Sequence, residues 1–154
     1  MRILLAALTA LAASACVHVS VTENGRTISS DCPAFTPAYQ VTDEFMRTFN
    51  ARDMAAHEAT YHFPHIRIAS GNVTIIPQPG TERDTFPRLI ATGWDHSAWA
   101  DRRIVQCGPT KAHMLTTFIR YRADGSELSR FDSLYIVEFK NGKWGITGRS
   151  SFAP

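Results

Sequence analysis

The sequence predicts an α+β fold in which helices and a short hairpin come first and a four-stranded antiparallel meander comes last. Three observations predict it. Residues 97–152 hold β-rich runs, and between them Asn141-Gly142 and Asp124-Gly125 supply the positive φ angles of two-residue hairpins. The registers implied by the two turns agree on which side chains share a face, as a side-chain period of two requires. Upstream, Val41, Phe45 and Phe49 recur every four residues, the spacing of one amphipathic helical stripe. Helices followed by a run of strands is the segregated order of an α+β domain.

The 154 residues, 44% hydrophobic and 19% charged, fit one globular domain with a short leader. A formal net charge of +2 without a basic run gives no footprint for nucleic acid. No apolar stretch approaches the roughly 18–20 residues of a membrane span.

Residues 1–15 read as a signal peptide: a positive start at Met1-Arg2, an apolar run from Ile3 to Ala13, and small residues at Ala13-Ser14-Ala15. Cys16 follows at once, and the stretch 11–16 resembles a bacterial lipoprotein signal, which implies lipidation of Cys16. The expected location is therefore outside the cytoplasm, periplasmic or membrane-anchored as a lipoprotein. Three cysteines in an exported chain leave one odd. With Cys16 acylated, Cys32 and Cys107 remain as a candidate disulfide in an oxidising compartment, the alternative being two inert thiols.

Residues 16–35 form a tether or a small hairpin, with Val21 opposite Ile28 and Glu23 opposite Arg26 around Asn24-Gly25. The domain proper is 36–154. Its first helix is expected from Pro37 to about Arg52. Asp53 caps a second, from Met54 to about Tyr61. His62-Phe63-Pro64-His65 breaks it, and Ile66 to Ile76 suggests a short hairpin around Gly71-Asn72. Thr81-Glu82-Arg83-Asp84 resembles a capping box for a third helix carrying Phe86, Leu89 and Ile90, closed by Gly93.

Within the meander, Asn141-Gly142 sets Phe139 opposite Trp144, Val137 opposite Ile146, Ser133 opposite Ser150 and Phe131 opposite Phe152. Asp124-Gly125 sets Arg122 opposite Glu127, Phe118 opposite Phe131, Thr116 opposite Ser133 and Met114 opposite Tyr135. One face is then largely apolar, with Thr116, Ser133 and Ser150 in a row across its middle. Small hydroxyl residues in a buried face leave volume unfilled, which suggests a cavity floor; a bulky helix residue filling the gap is the alternative.

Phe49-Asn50-Ala51-Arg52-Asp53-Met54 at the helix junction, Gly93-Trp94 before the long strands, and Asn141-Gly142-Lys143-Trp144-Gly145-Ile146 with Arg149 resemble the NTF2-like superfamily. That superfamily includes SnoaL-type cyclases and ketosteroid isomerases, and the resemblance covers roughly residues 36–153. It implies a cone: three helices on a curved antiparallel sheet of four long strands plus a short hairpin, with a cavity between sheet and helices. It also implies a homodimer through the outer sheet face, which carries Leu115, Ile119, Leu128, Leu134 and Ile136, with Thr117, Asp132 and Ser151 in one row between Arg130 and Arg149.

The candidate ligand-binding residues are Tyr39, Trp94, Met114, Thr116, Ser133, Tyr135 and Ser150. His62 and His65, near the expected cavity mouth, are the candidate catalytic bases, because imidazole titrates near neutrality. The isomerase carboxylate is not found in the inner row. Two imidazoles without a nearby cysteine make no metal site, and no cofactor-binding fingerprint is present. His57 reads as a helix-surface or interhelical residue, and the adjacency of Asp95 and His96 alone does not make a hydrogen-bonded dyad. The first functional reading is an exported domain binding a small apolar or amphipathic ligand in its cone. The others are a cofactor-free isomerase, dehydratase or hydrolase using a cavity histidine, and an interaction module of the cell envelope. Contact with a membrane is expected only through a lipid on Cys16.

Overall fold

In the computed structural model, which describes residues 20–23, 26–81 and 83–154, the amphipathic stripe forms helix α1 (Phe35–Asn50). The expected leader and the expected acylation of Cys16, together with Asn24-Gly25 and Glu82, lie outside those residues. Pro37 falls in the first turn, where a missing N–H costs nothing, so the helix begins two residues earlier than expected. Ala38, Thr42, Phe45, Met46 and Thr48 are its buried side. Threonine is tolerated there because Thr42 and Thr48 donate to carbonyls one turn back, Ala38 O at 2.9 Å and Glu44 O at 2.8 Å.

Strands β1 (Ser20–Glu23) and β2 (Arg26–Ser29) pair with Val21 opposite Ile28 and Glu23 opposite Arg26. Helix α2 (Met54–Ala59) starts at Asp53, whose Oδ1 accepts the Ala56 N–H at 3.0 Å. The helix ends before Tyr61 because β3 (Tyr61–Ala69) begins there. His62-Phe63-Pro64-His65 thus ends the helix but is itself strand, with a cis Phe63–Pro64 bond and irregular pairing between Tyr61 and Ile66. Proline lacks the donor a regular ladder needs, so the irregularity falls where it stands. After β4 (Asn72–Ile76), helix α3 (Thr85–Ala91) starts without the expected capping box. Asp84 makes no side-chain cap bond, and the Thr81 hydroxyl turns to Gln78 O at 2.7 Å. Gly93 closes α3 at φ +88, its N–H donating to Ile90 O at 2.9 Å.

The long strands are β5 (His96–Cys107), β6 (Lys111–Tyr121), β7 (Glu127–Lys140) and β8 (Lys143–Ser151). With β3 and β4 they form one six-stranded sheet, ordered β4-β3-β8-β7-β6-β5. The short hairpin joins the meander through a parallel β3–β8 pair, a long-range pairing that no local turn announces.

The expected register holds near the Asn141-Gly142 turn and along the body of β6 and β7: Phe139 faces Trp144, Val137 faces Ile146, Phe118 faces Phe131, Thr116 faces Ser133 and Met114 faces Tyr135. Two departures follow. Glu127 pairs with Tyr121 rather than Arg122. In β8, Thr147 is an extra residue, so Ile136 pairs with Gly148 and Ser133 with Ser151 rather than Ser150. A bulge of one residue reverses which face the following side chains take. Arg149 and Ser151 therefore turn inward, while Ser150 and Phe152 turn outward, and Phe152 is 83% exposed. The inner hydroxyl row is Thr116, Ser133 and Ser151.

The main core gathers Ala38 and Phe45 of α1 against Tyr61, Ile104, Met114, Tyr135, Val137 and Ile146 of the sheet. A smaller cluster joins Phe86, Leu89 and Trp94, with Phe49 packed on it. Two cross-ties fix α1. Cys32, just before it, is disulfide-bonded to Cys107 at the end of β5, with Cα atoms 6.3 Å apart. Asn50, its last residue, donates to Ser97 O and accepts from Ser97 N–H, both at 2.8 Å.

Candidate functional site

Between α1, α3 and the sheet lies a cavity of about 380 Å³. Its helix side is apolar: Phe45, Met46 and Phe49 from α1 and Leu89 from α3. Its sheet side is polar and cationic. Alternation along the strands brings in Arg67 from β3, Arg120 from β6, Tyr135 from β7, and Arg149 with Ser151 from β8. Arg88, on the exposed side of α3, stands at the rim. Among the described residues no aspartate or glutamate lines the cavity.

Arg67, Arg149 and Tyr135 form one transverse row, because Arg149 is the register partner of both others. The Arg149 guanidinium hydrogen-bonds the Tyr135 hydroxyl and lies 5.4 Å from the centre of the Phe45 ring. Arg67 donates to the main-chain oxygens of Pro154 at 2.9 Å and Ala153 at 3.3 Å. Arg120 lies 5.0 Å from the centre of Phe131 and 5.9 Å from that of Phe118. Its Nε is buried and has no hydrogen-bond partner among the described residues. Burial first, then the charges of Arg149 and Arg67, hold the Arg120 pKa below its usual value. Burial raises the pKa of Tyr135 against the pull of the arginines, so it is a neutral phenol at physiological pH.

Of the ligand-binding residues expected from sequence, Tyr135 lines this cavity. Thr116 and Ser133 are buried in the sheet, Ser133 donating to Ser151 Oγ at 2.8 Å and Thr116 to Ser133 O at 3.4 Å. Met114 is fully buried, its sulfur 3.6 Å from the Thr42 hydroxyl. Trp94 sits in the smaller core, its indole N–H on Ser97 Oγ at 2.9 Å. The Tyr39 hydroxyl donates to Arg102 O at 3.2 Å, away from the cavity lining. Ser150, expected on the inner face, lies on the outer one because the Thr147 bulge intervenes.

Neither candidate base lines the cavity. His62 donates from Nε2 to Glu138 O at 3.0 Å. His65 donates from Nδ1 to Ile146 O at 3.0 Å and stacks on Tyr61 with ring centres 4.0 Å apart. Burial, then Arg149, pushes its pKa down to about 4. His57 is buried between α1, α2 and β3: Nδ1–H donates to Phe45 O at 3.1 Å, and Nε2 accepts from the Tyr61 hydroxyl at 3.0 Å. Burial, then Arg149, pushes its pKa down to about 3. Asp95 and His96 do make a hydrogen bond, at 2.9 Å, on a half-exposed edge. Among the described residues no cluster of three or more His, Cys, Asp or Glu side chains is placed to hold a metal ion.

The sequence reading missed the arginines. Arg120 was in reach, since it follows Phe118 by two residues and so shares its inner face. Arg67 stands in the same relation to His65. Arg149 could be placed only by knowing of the bulge.

A cone of helices over a bent sheet, with its cavity between the two, defines an NTF2-like protein. The family described as NTF2-like protein (DUF6841) matches residues 38–151, and the chain belongs to it. No curated protein matches the sequence. Among solved structures, a Nostoc punctiforme protein of unknown function with a cystatin-like fold is 16% identical, with TM-score 0.62 over 76% of this chain and 88% of that one. A ketosteroid isomerase-like protein from Erwinia carotovora atroseptica is 16% identical, with TM-score 0.58 over 77% and 95%. An NTF2-like protein from Novosphingobium aromaticivorans is 11% identical, with TM-score 0.60 over 76% and 79%. At these identities the likeness is one of fold.

Proposed function

We propose that the domain holds a small amphipathic molecule in its cone cavity. The observation that carries this reading is one cavity with an apolar helix wall and a hydrogen-bonding sheet wall. Its volume falls at the lower end of the roughly 300–1,000 Å³ of small-molecule sites. The leader, Cys16 and the Cys32–Cys107 disulfide support the same domain working outside the cytoplasm, held to a membrane by acylated Cys16. Native mass spectrometry of protein purified from its own host tests the reading. A bound molecule is expected in the wild type and absent from Ser151→Trp, which fills the floor. An adduct retained unchanged in that variant would move the ligand elsewhere.

A second proposal concerns the outer sheet face, where the observed exposure favours a homodimer. Ile66 faces Ile75 and Ile68 faces Val73, with exposures of 40%, 62%, 48% and 67%. The strip continues from Ile68 through Ser150 to Leu134 and Leu115. A contiguous apolar strip on a sheet suits burial against a second copy. Sedimentation velocity should give a dimer for the wild type and a monomer for Ile68→Asp; a wild-type monomer at tens of micromolar removes this proposal.

A further inference from the structure

We propose that the cavity selects organic anions, with a carboxylate head held between Arg120 and Arg149 and an apolar body against Phe45, Phe49 and Leu89. The inference rests on the reading that the cavity holds a ligand and names the chemical class of that ligand.

Three guanidiniums, from Arg67, Arg120 and Arg149, face one partly enclosed space whose described lining residues include no aspartate or glutamate, although Arg67 is taken by the main-chain oxygen of Pro154. Arginine stays charged when buried, so the repulsion among the three cannot be relieved by losing a proton. The depressed Arg120 pKa records that repulsion, after burial itself. Packing against rings accounts for part of the arrangement: Arg120 rests on Phe131 and Phe118, and Arg149 on Phe45. Such stacking uses the face of a guanidinium and leaves the donors at its edge to bond in plane. At Arg120 the edge Nε–H is buried without an acceptor among the described residues. A buried donor left unmet is costly, and the ring contacts offset that cost only in part, yet the Arg120 side chain lines the cavity all the same.

The head group follows from the donors. A carboxylate presents two oxygens in a plane that matches the guanidinium fork. The neutral Tyr135 hydroxyl, in the same row as Arg149, adds an O–H donor suited to an oxyanion. The body follows from the opposite wall, since an inorganic anion would leave Phe45, Phe49 and Leu89 in contact with water. Together they describe a short alkyl or aryl monocarboxylate.

The test is isothermal titration of the full domain with two matched pairs, 3-phenylpropionate against 3-phenylpropionamide and octanoate against octanamide. The acids are expected to bind at least tenfold more tightly than their amides, about 1.4 kcal/mol. Arg120→Met should narrow the gap between acids and amides, weakening acid binding more than amide binding. Arg120→Gln takes its place if the first variant fails to fold. Acids and amides binding equally would overturn the anion inference while leaving the cavity as a binding site. No binding of either pair would overturn the cavity reading, and this inference with it.

Discussion

Arg67 and Arg149 are register partners on the neighbouring parallel strands β3 and β8, and both side chains face the cone cavity. Like charges set directly across a strand pair oppose the pairing. Groups outside the strand pair offset this locally: the main-chain oxygens of Ala153 and Pro154 take Arg67, and the Phe45 ring of α1 lies against Arg149. Arg120 has the least compensation of the three, so the site's demand on stability falls most heavily there.

Arg120→Met should therefore raise the thermal midpoint of the empty domain while weakening anion binding. Replacing a poorly compensated buried charge by an apolar chain of similar reach is worth about 1 kcal/mol, or roughly 4 °C for a domain of this size. Differential scanning calorimetry without ligand gives the answer. A lower midpoint would mean that stacking on Phe131 and Phe118 outweighs the repulsion.

Acid should destabilise the fold well above the carboxylate range. His57 and His65 titrate near 6.5 when unfolded but are pushed to about 3 and about 4 in the fold. Above pH 6.5 both states hold them neutral and the shift contributes nothing. As pH falls through 6.5 the unfolded chain takes up protons that the folded chain refuses, so stability declines until the folded values are passed. At about 1.4 kcal/mol per pH unit per histidine, the loss between pH 7.5 and 5 is about 4 kcal/mol. Urea unfolding at the two pH values measures it, and His57→Gln with His65→Gln should flatten the slope. Glu44 and Asp124, held below their usual values by hydrogen bonds from Arg47 and Ser126, act only in more acid solution.

Phe45→Ala should be the most damaging single truncation in α1. The ring is 4% exposed and meets His57, Tyr61, Trp99 and Tyr135. Loss of a buried phenylalanine costs about 3–5 kcal/mol. Denaturant unfolding should show it, and a loss below about 1 kcal/mol would mean that the cavity simply collapses into the vacated space.

Reduction of Cys32–Cys107, or Cys107→Ser, should lower the thermal midpoint. The bond spans 75 residues of sequence, and closing a loop of that size restrains the unfolded chain by about 4 kcal/mol on the entropic account. An unchanged midpoint in reductant would mean that the rest of the fold already holds this segment in place.

The fold was legible because its signals are local. Asn141-Gly142 makes the expected two-residue turn, Asp124-Gly125 marks a hairpin whose turn is wider and has positive φ at Gly125 but not at Asp124, and the four-residue stripe marks α1. The site was legible only in part. Tyr135 follows from period two alone, and Arg120 obeyed the same rule without being singled out. The parallel β3–β8 pair joins residues some eighty positions apart and leaves no turn to read. The buried histidines carry sequences that suit a loop or helix surface, and tertiary packing decides otherwise.

A strand has a phase, much as a coding message has a reading frame, and Thr147 is the inserted letter in β8. Remove it, and the same side chains in the same order would present Ser150 and Phe152 to the cavity and send Arg149 and Ser151 to the outside. The floor would lose one of its three guanidiniums and gain a hydroxyl and a ring with no arginine mutated.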